Sequence, residues 1–427
     1  MSGQQPEPQE LVLPPSLELW QLLATAANTP LIQAASTTVA TDVAAISRLR
    51  RLGDAPLVNL SLDLASARRK LSMKWPERGD TLFADPSGAE MASSQLAASH
   101  KAQRFVSILG KDARILDLCT GIGGDAMALT EAGLRVLAVD HDPIRAWMSA
   151  RNAGCDSRAC DVLDTTLPSH PFHLDPSRRD SGTHKRLFTL EDHQPPPEVW
   201  RELISRHRAG AIKLGPGINP AAIAAYIPPE TPHELEFLSE RGRLTQCIAW
   251  LGPLARVPAR STESQAQPST LHTATLLTDT STNTLSGQPS EPPIAALARY
   301  LVESDASIER AHLLGELCER FDLHALHPGL GLLTGDNPPV SPFCTSFEVL
   351  AHTPWSEKQT RAWLREHDAG VIEIKTRDKA VEPDALQLRL RGEGVVPFTV
   401  FVLRWGTELQ VTITKRMPRR TPGNAGV

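Results

Sequence analysis

Between residues 115 and 175 the chain alternates short apolar runs with turns and helical stretches, and each apolar run carries an acid at or near its end. Ile115-Leu116-Asp117-Leu118-Cys119 leads into Thr120-Gly121-Ile122-Gly123-Gly124-Asp125, and a helical stretch follows from Ala126 to Ala132. Arg135-Val136-Leu137-Ala138-Val139 ends in Asp140, Ser157-Arg158-Ala159-Cys160 in Asp161, and Phe172-His173-Leu174 in Asp175. Strand, tight turn, helix, strand is the start of a doubly wound α/β sheet. A helix over Ile144–Ala153, a fifth strand over Ala209–Leu214 and two strands over Glu234–Ser239 and Leu244–Trp250, joined through Glu240-Arg-Gly-Arg, complete the core pattern.

The flanks read differently. Helical apolar spacing recurs over Leu17–Ala27, Ile32–Leu52, Ser61–Leu71 and Ala89–Leu109, which makes residues 1–105 a helical region behind a frayed Pro/Gln-rich start. Residues 106–280 form the core. From Val257 to Pro293 the composition shifts to Ser, Thr, Pro and Gln, a flexible insertion and linker in which Thr273-Ala-Thr-Leu-Leu is a candidate edge strand. Residues 294–420 read as a small α+β domain. Its helices are Ile308–Phe321 and Trp355–Glu366, the latter capped by Ser356; its strands are Gly370–Lys375, Leu386–Leu390, Phe398–Trp405 and Leu409–Lys415.

Ligands of doubly wound sheets sit at the carboxyl ends of the strands, beside the first turn. Gly121, Gly123 and Gly124 allow the backbone to approach a bound molecule. Asp140, at the tip of the second strand, is placed for ribose hydroxyls. Gly121-x-Gly123-x-x-Ala126 also satisfies a loose dinucleotide fingerprint. S-adenosylmethionine fits better than NAD. Asp117 suits the ammonium of a methionine moiety and would repel a pyrophosphate. Asp161 or the following amide, of Val162, can meet an adenine edge, and an Asp-Pro pair, Asp175-Pro176, ends the fourth strand. Cys119 lies in the cofactor turn. Phe83 is a candidate lid over the cofactor or else a core aromatic beside Trp75. The plain alternative for each acid is an ordinary strand-end cap.

These segments resemble the bacterial class I methyltransferases that carry a C-terminal THUMP-like domain. The resemblance rests on Asp117–Asp125, Asp175-Pro-Ser-Arg-Arg, Lys213-Leu-Gly-Pro-Gly-Ile, Glu234-Leu-Glu-Phe-Leu-Ser and Gly370-Val-Ile-Glu-Ile-Lys, and extends over about residues 65 to 415. The glycine loop is also similar to that of RNA cap guanine-N2 methyltransferases. The resemblance implies a Rossmann-like core, S-adenosylmethionine as cofactor, methyl transfer to RNA (tRNA or rRNA) and a C-terminal domain that positions it. Guanine N2 is the first expectation for the methylated atom. A small-molecule or protein methyltransferase, and a non-catalytic RNA-binding protein that keeps the fold, stay open.

The transfer site is expected at Asp175, Pro176 and Arg178. Amine-methylating enzymes often carry Asn/Asp-Pro-Pro-aromatic there; here Ser177-Arg178-Arg179 follows, without the aromatic. Asp175 can accept a proton or hydrogen bond. The arginines can grip a phosphate or carboxylate, or pair with Asp180 or Glu191. No cysteine lies in a loop after strand four or five, which disfavours cytosine-C5 chemistry. Of the histidines around strand four (170, 173 and 184), only His184 is a weak candidate base.

Composition narrows the class. With 427 residues, 41% hydrophobic and 22% charged, the chain is globular and too long for one core. A net charge of −5 makes any nucleic-acid face local. From Val371 to Val427, ten Lys/Arg stand against six Asp/Glu, a modest basic footprint with Lys375, Arg377, Lys379, Arg389 and Arg391 as candidate contacts. Arg68-Arg69-Lys70 reads as a solvated helix end. Six cysteines without a CxxC pair suit a reducing compartment and argue against a zinc site or any metal. No leader pattern and no run near the ~20 apolar residues of a membrane span are present, so a cytoplasmic protein is expected.

Overall fold

The computed structural model describes residues 16–39, 42–178, 190–256, 270–377 and 380–418. The chain divides into two compact units: Met1–Lys213 with Ala225–Pro228 and Gly252–Leu254, and Leu214–Ala224 with Pro229–Leu251 and Ala255–Val427.

The first unit opens with helices α1 (Leu17–Leu23), α2 (Thr29–Ser36), α3 (Val43–Leu49) and α4 (Ala55–Lys74). The expected single helix over Ile32–Leu52 is therefore two, the second capped by Asp42, whose side chain accepts from the Ala45 amide. Helix α4 is longer than its apolar stripe suggested because Pro56 sits in its first turn, where a missing amide costs nothing. The basic cluster near its end is structural at Arg68, which donates to the carbonyls of Thr81 (3.0 Å) and Leu82 (2.9 Å).

The expected helix over Ala89–Leu109 is broken into α5 (Pro86–Met91) and α6 (Gln95–Leu109). Ser94 caps α6 by accepting from the Ala97 amide, and the Trp75 indole donates to the Ser93 carbonyl at 3.0 Å. That break aims the Ser93 side chain toward the core.

The sheet of this unit alternates with helices: β1 (Arg114–Leu118), α7 (Gly124–Glu131), β2 (Arg135–Asp140), α8 (Pro143–Ala153), β3 (Asp156–Ala159) and β4 (Phe172–Leu174). A short ribbon of β5 (Ser177–Arg178) and β6 (His193–Gln194) follows, then α9 (Glu198–His207) and β7 (Gly210–Leu214). The strands run parallel in the order β7-β4-β1-β2-β3. From β1 the chain winds outward through β2 and β3, then crosses back to β4 and β7 on the other side. The switch therefore falls between β1 and β4, the place where doubly wound sheets take their ligands. Ile115, Leu116 and Leu118 of β1 and all of β4 are buried, as expected of parallel strands covered on both faces.

The second unit contains α10 (Pro220–Ala224) and four strands, β8 (His233–Glu240), β9 (Arg243–Leu251), β10 (Leu271–Leu277) and β11 (Thr282–Gly287), in the order β11-β10-β8-β9. β8 and β9 form the expected antiparallel hairpin. The candidate edge strand Thr273–Leu277 lies within β10, but β11 beyond it takes the edge: the Thr/Ser-rich composition of residues 282–287 mimicked a linker, whereas these residues pair across to β10. Thr273 and Thr275 donate to the buried carboxylates Glu234 (2.8 Å) and Glu236 (2.5 Å), and Trp250 donates to Glu236 at 2.7 Å.

The rest of this unit is β12 (Tyr300–Ser304), α11 (Ala306–Arg310), α12 (Leu314–Phe321), β13 (His324–Ala325), β14 (Leu332–Gly335), β15 (Cys344–Pro354), α13 (Glu357–Glu366), β16 (Ala369–Lys375), α14 (Pro383–Leu390), β17 (Val396–Trp405) and β18 (Glu408–Arg416). Its seven strands run β13-β14-β12-β15-β18-β17-β16, with only β16 and β17 parallel. The expected helix over Ile308–Phe321 is interrupted at His312, whose φ of 56° is left-handed. The expected strand Leu386–Leu390 is helix α14. Leucines at 386, 388 and 390 satisfy alternation, but 386 and 390 are also one helical turn apart and both are buried, while Leu388 is 75% exposed. Pro383 in the first turn fixes the helical choice.

Candidate active site

The turn after β1 is built from left-handed residues: Cys119 (φ 56°), Gly121 (φ 56°) and Gly123 (φ 87°). The two glycines differ in role. A Cβ on Gly123 would lie 2.7 Å from the Ser149 hydroxyl and 2.8 Å from its Cα, so this glycine lets α8 pack against the loop. A Cβ on Gly121 would meet nothing within 4 Å, so the backbone there faces open space. Cys119 occupies a conformation that non-glycine residues rarely adopt, and burial pushes its thiol well up, aided by Asp140 and Asp175.

Asp140 stands beside this turn at the tip of β2 and is 6% exposed. One of its oxygens accepts from the Gly121 amide at 2.9 Å, the other from the Asp142 amide at 3.0 Å. Burial raises its pKa, and the two amides oppose that shift. Its carboxylate is thus fixed in direction, with lone pairs left over for a hydroxyl-bearing ligand.

Below the turn lies a buried polar network that the sequence reasoning missed. Asp117 is 1% exposed; it meets His173 Nδ1 at 2.7 Å and accepts from the Thr120 hydroxyl at 2.6 Å. Thr120 is 2.8 Å from the Ser149 hydroxyl. Lys101 of α6, 1% exposed, pairs with Asp125 at 2.6 Å and lies 3.4 Å from both His173 Nε2 and Ser93 Oγ. Ser93 in turn donates to Asp125 at 2.7 Å. Burial pushes the Asp125 carboxyl up, and the Lys101 ammonium, with His173 and Lys213, more than reverses it, holding Asp125 well below the ordinary carboxylate range. One chain of contacts thereby ties the first turn of α7, strands β1 and β4 and the pre-core helix α6 to the underside of the glycine loop. The signal was present: an unbroken apolar helix rarely needs a lysine on its inner face, and His173 interrupts an apolar strand.

Asp175 follows β4 at the switch point, its amide bonded to the Leu118 carbonyl at 3.1 Å. Its Oδ2 accepts from Lys213 at 2.6 Å. Burial disfavours the Lys213 ammonium, and Asp175, Asp125 and Asp117 together offset this and raise its pKa above the ordinary lysine value. Lys213 is 15% exposed and Asp175 32% exposed at the side chain, and among the described residues Oδ1 of Asp175 has no partner. Pro176 is buried behind it. The backbone of Arg178 pairs with His193. Arg179, Asp180 and His184 lie outside the described residues.

Comparison with known proteins agrees with this layout. A relative from Mycobacterium tuberculosis, described as an uncharacterized S-adenosylmethionine-dependent methyltransferase, is 30% identical over 367 residues, 83% of this chain and 95% of its own; strains CDC 1551 and H37Rv each carry it. The chain belongs to the S-adenosylmethionine-dependent methyltransferases. Residues 344–416 match the model of the THUMP domain-like family. A crystal structure described as a methyltransferase of Porphyromonas gingivalis W83 superposes with a TM-score of 0.68 over 94% of this chain and 98% of that one, at 16% identity, and shares the fold.

As a methyltransferase, the chain brings Gly121, Gly123, Gly124, Cys119, Asp140 and Asp175 to one edge of the sheet. The open face of Gly121 and the oriented carboxylate of Asp140 fit S-adenosylmethionine. Asp161 is exposed at the end of β3 and caps its own turn, accepting from the Leu163 amide at 2.8 Å; Val162 beside it is buried. Two further candidates are enclosed. One Asp117 oxygen meets His173 and the other Thr120, and the residue is 1% exposed. Phe83 is a packed aromatic. It is 8% exposed, edge-on to Trp147 at 5.5 Å with the Arg151 guanidinium 4.9 Å over its ring, and its backbone is clamped by Asn152. Its aromatic packing partner is thus Trp147, where Trp75 was expected. Among the described residues no cluster of three or more His, Cys, Asp or Glu could hold a metal, and no helix is long and apolar enough to cross a membrane.

Proposed function

We propose that this methyltransferase modifies a base nitrogen of structured RNA, tRNA or rRNA, with guanine N2 as the first target, and that its C-terminal domain positions the RNA. The observation that carries the reading is the THUMP domain-like match at residues 344–416 in the same chain as the methyltransferase core. Bound S-adenosylmethionine supplies a methyl carbon already activated by the adjacent sulfonium charge. The chain's own residues then have three tasks. Gly121 to Gly124 and Asp140 hold the cofactor, with Val162 and Asp161 at its adenine. The buried network under Asp117 keeps the loop in one geometry, so that little reorganisation is needed at the moment of transfer. The free Oδ1 of Asp175 accepts a hydrogen bond from the acceptor amine and orients its lone pair, while Lys213 fixes the carboxylate through Oδ2. Pro176 stiffens that turn, and Arg178 is the candidate for gripping a substrate phosphate.

The test is mass spectrometry of RNA nucleosides from a strain lacking the gene against its parent. Loss of one methylated guanosine, restored by the native gene and not by an Asp175→Ala gene, is the expected result. Identical nucleoside profiles would sink the RNA reading.

A further inference from the structure

Of the candidate C-terminal contacts, Lys375 and Arg377 share one carboxylate. Lys375 pairs with Glu303 at 2.8 Å, and Arg377 reaches the same carboxylate at 3.5 Å. Lys379 lies outside the described residues. Arg389 and Arg391 have a different setting. With Arg361 and Arg365 of α13 they line a cavity of about 130 Å³, floored by Leu364, Ala369, Leu390 and Gly392. At about 30 Å³ per water molecule this is room for roughly four waters, the scale of one phosphate group with part of its hydration.

The charge in this cavity is unbalanced. Glu357 serves both Arg361 (3.0 Å) and Arg389 (3.1 Å). Arg365 and Arg391 have no carboxylate partner among the described residues, and the Nε of Arg361 is shielded from solvent without a hydrogen-bond partner. Four guanidinium groups face one carboxylate. Like charges gathered in a concave site repel one another unless an anion enters, and guanidinium forks match phosphate oxygens in geometry. The backbone favours the site as well: Arg361 and Arg365 are one helical turn apart on α13, and Arg389 and Arg391 flank the end of α14, so two short elements present all four charges to one space.

We propose that Arg361, Arg365, Arg389 and Arg391 form a phosphate-binding pocket that takes a phosphate of the RNA substrate. The identity of the occupant rests on the RNA reading above; the anion chemistry does not. Lys375 and Arg377, tied to Glu303, contribute little to it.

The experiment uses the full chain and an Arg365→Gln/Arg391→Gln variant, two exposed side chains without a carboxylate partner among the described residues, with thermal unfolding as the check that the variant folds. Inorganic phosphate is titrated calorimetrically, and one RNA oligonucleotide is tested with a 5′-phosphate and with a 5′-hydroxyl by fluorescence anisotropy. Each lost guanidinium contact weakens phosphate binding by about tenfold. The expected result is a loss of at least that size for inorganic phosphate and for the 5′-phosphorylated RNA. An equal loss for the 5′-hydroxyl RNA upholds the pocket and places a chain phosphate in it; a smaller loss upholds it with a terminal phosphate. If the native chain binds phosphate through these arginines but binds neither RNA, the pocket stands and the RNA reading fails. If phosphate does not bind the native chain, or binds the variant equally well, the pocket is overturned whatever the RNA does.

Discussion

Replacing Lys101 by methionine tests the network under the cofactor loop. The side chain keeps its length and loses its charge, leaving Asp125, 7% exposed, as a buried carboxylate without its 2.6 Å cation. Breaking a buried pair from one side costs about 3–5 kcal/mol, because the remaining charge is uncompensated. In a domain of this size each kcal/mol lowers the melting temperature by about 2–4 °C, so a drop of roughly 6–20 °C is expected in the transition of the first unit. Lys101→Met/Asp125→Asn removes both charges and should recover most of the loss. The pH dependence has a definite sign. In the native chain the Asp125 carboxyl lies below its unfolded value of about 3.9, so the pair's contribution is complete above that pH and is lost as the pH falls through the folded pKa. Without Lys101, burial meets less opposition and the carboxyl pKa rises. A raised carboxyl pKa means that the fold gains stability on acidification, so the deficit of Lys101→Met should narrow between about pH 7 and pH 5. Differential scanning calorimetry across that range reads all three quantities. A Lys101→Met melting temperature within about 2 °C of native, or a double variant worse than the single, refutes the reasoning.

Asp175→Ala should lower turnover by about 10²–10⁴-fold with the affinity for S-adenosylmethionine changed less than about threefold, read by single-turnover kinetics and calorimetry; a full-rate variant removes Asp175 from the chemistry. Asp140→Ala should weaken cofactor binding by about tenfold or more, since it loses a charge-assisted contact and frees the Gly121 amide. Gly121→Ala should fold, at a cost of about 1 kcal/mol for its left-handed backbone, and bind cofactor poorly, whereas Gly123→Ala should fold badly because its Cβ collides with Ser149. Equal stability of these two variants contradicts the distinction drawn between the glycines.

The sheet was legible because its strands are short apolar runs with glycine and acid punctuation, and parallel burial makes such runs continuous. The same logic failed where two periods coincide, as at Leu386, Leu388 and Leu390, and where composition imitated a linker, as at Thr282 and Thr284 of β11. The candidate site residues at the strand ends, Asp140 and Asp175, were visible as positions because topology alone places them. Asp117 was visible as a position but not as a direction, since its orientation depends on His173 and Thr120, which only packing brings together. Lys101 and Lys213 were unreadable for the same reason: a lysine gains meaning from the carboxylate it meets, and their partners lie 24 and 38 residues away along the chain.

The most direct measurement is transfer of a labelled methyl group from S-adenosylmethionine into RNA from a strain lacking the gene, followed by nucleoside analysis. Label is expected in a single guanosine position with the native protein, none with Asp175→Ala, and no incorporation into RNA from the parent strain, where the position is already filled. Label appearing with Asp175→Ala at the native rate, or no label in any RNA from a protein that binds the cofactor, would contradict this.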